Sequence, residues 1–121
     1  MTEELINIIV LKENGNIEEI KLDLDKNKNE IGIYLQDKLT FIGQINREDT
    51  ENLEKKKTNI ILINGLNAEK NGRKLNKCKL PEPFDKEKIF GDIILLPMND
   101  KIEPENIYLK EYYELFNNEN N

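Results

Sequence analysis

The chain has 121 residues and a formal charge of −6, from 18 Lys and Arg against 24 Asp and Glu, with one Cys and neither His nor Trp. That length fits a single domain, and 37 Leu, Ile, Val and Phe residues place it well above the roughly 20% on that sum below which chains stay disordered. The absence of His and Ser excludes Ser-His-Asp and Cys-His catalysis, and a lone Cys78 leaves neither a structural zinc site nor an internal disulfide.

Residues 5–11 are apolar except for Asn7, which predicts a strand covered on both faces. Asn14-Gly15 follows and predicts a type I′ turn, in which both central residues take positive φ. Ile20, Leu22 and Leu24 then alternate with Lys21, Asp23 and Asp25, the period of a half-buried strand, so residues 5–24 form a predicted hairpin. After a polar turn at 25–30, Ile31, Ile33 and Leu35 alternate again with that period, and 39–45 is a further short apolar stretch. Between Asn46 and Asn59 the only apolar side chain is Leu53, which leaves a long loop or a short solvated helix, with Glu51 and Lys55 at i, i+4 in favour of the helix.

Residues 60–63 form a continuous β-branched and leucine run that predicts a central strand. Asn64-Gly65 and Asn71-Gly72 are turn signals. Pro81 and Pro83 force an extended path, and Phe84 and Phe90 anchor the charged 85–88 piece to the core. Gly91-Asp92 leads into 93–96, a second predicted central strand stopped by Pro97. Leu109, Tyr112, Tyr113 and Phe116 fall at i, i+3, i+4 and i+7, the spacing of an amphipathic helix. Pro104 is placed in its first turn, with Glu103 and Glu105 at the positive end of its dipole. The predicted fold is α+β: one domain over 1–116, a mostly antiparallel sheet with a C-terminal amphipathic helix packed on it, then a flexible tail at 117–121.

The start, Met1-Thr2-Glu3-Glu4, has no basic n-region, and no apolar run approaches the roughly 20 residues of a membrane span. With the single Cys, this points to an intracellular protein in a reducing compartment, neither secreted nor transmembrane. Asn, Ile and Lys number 18, 17 and 16; they share AT-rich codons, so the bias reflects the genome.

The pieces Asn71-Gly72-Arg73, Asn76, Pro81-Glu82-Pro83-Phe84-Asp85 and Phe90-Gly91-Asp92, closing on Tyr113-Glu114-Leu115-Phe116, form a recognisable series. It resembles an uncharacterised family of small proteins from large nucleocytoplasmic DNA viruses, the mimivirus-like and algal viruses. The opening strand and turn over 8–20 fit the same layout. The resemblance implies a viral origin, placing the protein in host cytoplasm or virion, and carries over no activity.

Charge is unevenly distributed. Residues 1–54 hold 6 basic and 13 acidic side chains, and 80–121 hold 4 and 10. Between them, Lys55, Lys56, Lys57, Lys70, Arg73, Lys74, Lys77 and Lys79 face a single acid, Glu69. This basic segment either meets phosphates or an acidic partner, or lies beside the acidic parts of its own fold. Lys outnumbers Arg and no aromatic lies between Ile42 and Leu80, which argues against base reading and stacking. Phe84, Tyr108 and Tyr112 are candidate partner contacts, although Phe84 also suits a core plug. Asp85, Asp92 and Asp100 leave a carboxylate-dependent Mg²⁺ enzyme as a third reading, and Cys78, between two lysines, would favour thiolate if exposed. The expectation is a non-enzymatic protein–protein interaction or virion component without cofactor, its partner viral, host or a second copy. The alternative is a phosphate-directed binder of nucleic acid or nucleotide.

Overall fold

The structure, a computed structural model, describes residues 5–25, 27–47, 58–80, 84–99, 101 and 103–116. Leu5–Leu11 (β1) and Ile17–Asp23 (β2) form the predicted hairpin, in register from Leu5 opposite Asp23 to Leu11 opposite Ile17. Its turn differs from expectation. Gly15 takes a φ of 98° but Asn14 does not share the left-handed region; Lys12 N donates to Asn16 O at 2.8 Å and Gly15 N to Lys12 O at 2.9 Å. This is a type I turn closed by a left-handed glycine, the geometry of a longer hairpin loop.

Residues 31–35 are not a strand. Glu30–Leu35 (α1) is a short helix in which Ile31 and Leu35, four apart, pack toward the sheet while Ile33 is 66% exposed. Two contacts fix it: the Glu30 carboxylate accepts Asp23 N at 2.9 Å, and the Asn29 carboxamide lies over Gly32, where a Cβ would approach it to 2.6 Å. A period of two over three residues is also compatible with a helical turn, and these tertiary contacts decide between them.

Leu39–Arg47 (β3) and Thr58–Gly65 (β4) pair antiparallel, with a bulge between Phe41 and Gly43. The 48–57 segment joining them, with its proposed Glu51–Lys55 helix, lies outside the described residues, as do 81–83 and the 117–121 tail. Ile93–Met98 (β5) fills the space between the two hairpins: Val10 stands opposite Ile94 on one side, and Ile63 opposite Ile94 on the other. The five described strands run in the order β2-β1-β5-β4-β3, antiparallel throughout, so 60–63 and 93–96 are internal as expected.

Pro97 does not stop β5. It is buried within the strand, opposite Ile60. The ladder to β1 ends at Leu95, and the Pro97 carbonyl, which points to that same side, accepts Glu105 N at 2.9 Å. The missing N–H therefore faces a place where β1 has already diverged. Residues 105–107 occupy that gap: Ile107 N donates to Asn7 O at 2.9 Å and Asn7 N to Asn106 Oδ1 at 2.8 Å. Pro104 accordingly bridges to Met98 instead of opening the last helix. Leu109–Phe116 (α2) starts later, and the acids at its first turn are Glu111, which accepts Tyr108 N at 3.2 Å, and Glu19 of β2, which accepts Leu109 N at 2.8 Å. Glu103 instead accepts Asn99 Nδ2 at 3.3 Å.

Both faces of the sheet are covered, which is why β1 and β5 read as unbroken apolar runs. On one face Ile9, Leu11, Ile60, Leu62, Ile93 and Leu95 lie under Leu80, Phe84, Ile89, Ile107 and Tyr112. On the other, Ile8, Val10, Ile94 and Leu96 pack with Leu35. Each fully buried aliphatic side chain contributes about 1.5–3 kcal/mol, which makes these layers the main source of stability.

Candidate functional site

Of the basic segment 55–79, residues 58–65 belong to β4 and 66–79 fold as a loop across one end of the sheet. Ala68 N returns to Gly65 O, Asn71 N to Asn67 O and Arg73 N to Ala68 O, with Gly72 at φ 83° turning the chain. Lys74 N then donates to Glu13 Oε2 at 2.9 Å, and Lys77 N to Glu13 O at 3.1 Å. Asn76 binds the loop to the sheet: its Nδ2 donates to Leu11 O at 2.9 Å and Gly91 O at 2.8 Å, and its Oδ1 accepts Cys78 N. Buried Asn64 of β4 holds the 90–92 segment ahead of β5, its Nδ2 donating to Phe90 O and Asp92 O at 2.8 and 3.0 Å.

Arg73 does not present a free charge. Its Nη1 lies 3.7 Å from Glu13 Oε1. Burial raises the Asp37 carboxyl, but hydrogen bonds from Asn67 N, Asn67 Nδ2 and Lys38 N, with the charge of Arg73, outweigh it and hold the group below its ordinary value. Lys12 forms an ion pair with Asp92 Oδ2 at 3.1 Å and reaches Tyr34 Oη at 3.2 Å. Burial lowers the Lys12 ammonium, and those two hydrogen bonds more than offset it, so the net shift is upward. The space enclosed by Asp37, Asn64, Arg73 and Asp92 is only about 10 Å³, at most one water. Through Asp37, Arg73, Glu13 and Asp92 this cluster fastens the loop to the sheet.

The larger concavity is on the other face, beside α1. It is a groove of about 280 Å³ with an apolar lining of Leu24, Ile31, Leu39, Leu96, Met98 and Pro104. Asp23, Asp25, Asn29 and Glu30 also line it. Asp23, buried at the end of β2, accepts from Lys28 Nζ at 2.7 Å and from Asp25 N at 2.9 Å; the Lys28 bond foremost keeps its carboxyl below the usual range. Asp25 accepts Asn27 N at 2.9 Å. The groove opens toward the edge strand β3, where Leu39 and Phe41, two apart and hence on one face, are 41% and 59% exposed.

Of the residues singled out from sequence, Lys55, Lys56 and Lys57 lie outside the described residues. Lys70, Lys74, Lys77 and Lys79 are exposed on the loop. Phe84 and Tyr112 are core residues of this chain, buried in the face beneath α2, so they offer no partner contact; Tyr108 is exposed. Cys78 is half-buried with Sγ 3.5 Å from Lys12 O, and burial, with the charge of Asp92, pushes its thiol up in spite of the flanking lysines. Asp92 is taken up by Lys12 and Glu13 N, Asp85 is exposed 3₁₀ structure, and Asp100 is outside the described residues. Among the described residues no three His, Cys, Asp or Glu side chains are grouped to hold a metal ion, and no helix is long and apolar enough to cross a membrane. The groove was missed because residues 23–25, 29–31, 39, 96, 98 and 104 meet only in the fold. The one local signal was the apolar pair Leu39 and Phe41, two apart and so on one face of β3, both exposed.

No curated protein and no solved structure matches the chain. The loop, the groove walls from α1 to Pro104, β5 and most of α2 all fall inside residues 9–115, the stretch that matches a family of unknown function, DUF5880, and the chain belongs to that family.

Proposed function

We propose that this chain is a non-enzymatic protein–protein interaction component of a large DNA virus, virion-associated or host-directed. The observation that carries this reading is the exposed pair Leu39 and Phe41 on edge strand β3, continuous with an apolar groove of about 280 Å³. Exposed apolar surface bordering a concavity marks interaction sites more often than chance exposure does. The viral assignment rests on the sequence resemblance spanning Asn71 to Phe116.

The test compares the wild-type chain with Phe41→Asp in co-precipitation from infected cells, alongside light scattering. A reproducible partner held by the wild type and lost by a variant of unchanged melting temperature supports the proposal. Identical capture by both proteins overturns it. Retention of nucleic acid at low salt, falling steeply as salt rises and abolished by reversing Lys70, Lys74 and Lys77, overturns it in favour of the phosphate-directed alternative.

A further inference from the structure

We infer that the groove beside α1 receives apolar side chains from a cationic segment of a partner protein, one in which Leu-sized residues are flanked by Lys or Arg. The inference rests on the interaction reading above and names the chemistry of the partner. Two observations carry it. The first is size and lining: about 280 Å³ floored by Leu96 and Met98 of β5 and walled by Ile31 and Leu39. That is at the lower end of the roughly 300–1,000 Å³ typical of ligand pockets, room for one or two side chains and too little for a large cofactor. A site of this kind recognises a protruding anchor residue.

The second is charge. The lining carries three carboxylates, Asp23, Asp25 and Glu30, and no cation. Asp23 is neutralised by Lys28 at 2.7 Å. Among the described residues neither Asp25 nor Glu30 forms an ion pair; they accept the backbone N–H groups of Asn27 and Asp23. Two carboxylates lining an apolar groove, with no ion pair among the described residues, attract a basic segment and repel an acidic one. The basic residues Lys70 and Lys74 are not part of this lining.

The experiment uses the full chain and three fluorescein-labelled peptides in anisotropy titrations at physiological salt: alternating Leu and Lys, alternating Leu and Glu, and alternating Gly and Lys. The Leu/Lys peptide is expected to bind about tenfold or more tightly than either of the others. The Asp25→Asn/Glu30→Gln variant keeps the backbone hydrogen bonds of both residues and is expected to weaken that peptide about fivefold, with circular dichroism unchanged. Leu39→Ala gives a second, smaller loss from the apolar side. Equal binding of the Leu/Glu peptide overturns the cationic assignment and leaves the interaction reading standing. Failure of all three peptides, while Phe41→Asp still abolishes partner capture, overturns the groove as the site. A concentration-dependent dimer abolished by Leu39→Asp overturns the inference by making a second copy the occupant.

Discussion

Phe84 fills the space over the backbone of Gly43, where a β-carbon would stand 2.5 Å from the ring Cζ. The bulge between Phe41 and Gly43 sets that residue opposite Leu62 and turns its bare face to the ring. Gly43→Ala forces a packed aromatic to move and is expected to cost about 1–3 kcal/mol. Phe84→Ala leaves a cavity worth roughly 3–5 kcal/mol. In the Phe84→Ala background the alanine at 43 no longer meets a ring, so the double variant is expected to lose clearly less than the two single losses together. Urea denaturation of the four proteins checks this.

Asn64 and Asn76 each hold two backbone carbonyls with one side-chain amide. Replacing either by Ala or Leu leaves both carbonyls of the pair, Phe90 and Asp92 or Leu11 and Gly91, without that donor. The expected destabilisation is roughly 1–3 kcal/mol per site, and Leu does not recover it although its volume is similar. Thermal melts in buffered solution decide the matter.

Acid stability should depend on Asp23 and Asp37, whose carboxyls are both held below their ordinary values in the fold. For a lowered carboxyl the stabilisation is present above the ordinary value, about pH 4, and is lost as the pH falls through the depressed one. Urea midpoints measured from neutrality downward should drop below about pH 4. The drop should be shallower in Asp23→Asn/Asp37→Asn, which has already lost these contributions at neutral pH.

The alkaline limb has the opposite sign. Burial, foremost, pushes the Tyr112 phenol up to about 12. A raised value means the contribution is intact below the ordinary pKa of about 10 and disappears as pH rises toward 12, about 2–3 kcal/mol in all. Ultraviolet titration of the wild type should therefore show a late phenolate phase that Tyr112→Phe removes.

The elements with the strongest sequence patterns were legible: the β1–β2 hairpin from alternation at 20–24, β4 and β5 from aliphatic runs, α2 from its four apolar positions. What failed was local chemistry subordinate to tertiary contacts. Ile31, Ile33 and Leu35 fit the strand period while Ile31 and Leu35 alone fit a helical turn, and the contacts of Glu30 with Asp23 N and of Asn29 with Gly32 select the helix. Pro97 is a strand breaker wherever both sides are paired; here one side is already open. The basic segment was plain in the sequence, yet its Arg73 is matched by Glu13, sixty positions away, and no local pattern reports that pairing. The acid-lined groove is assembled from three distant segments, so no single window of sequence contained it.

The placement of β5 has a consequence for how the chain is made. The last strand in sequence order is the middle strand of the five, with β1 on one side and β4 on the other. As the polypeptide leaves the ribosome, both earlier hairpins exist before the strand that joins them, and isolated two-stranded hairpins are marginal in water. Nearly all of the sheet's cooperativity therefore waits for residues 93–98, and a nascent chain halted before Ile93 carries two open, hydrophobic β edges, a natural substrate for chaperones.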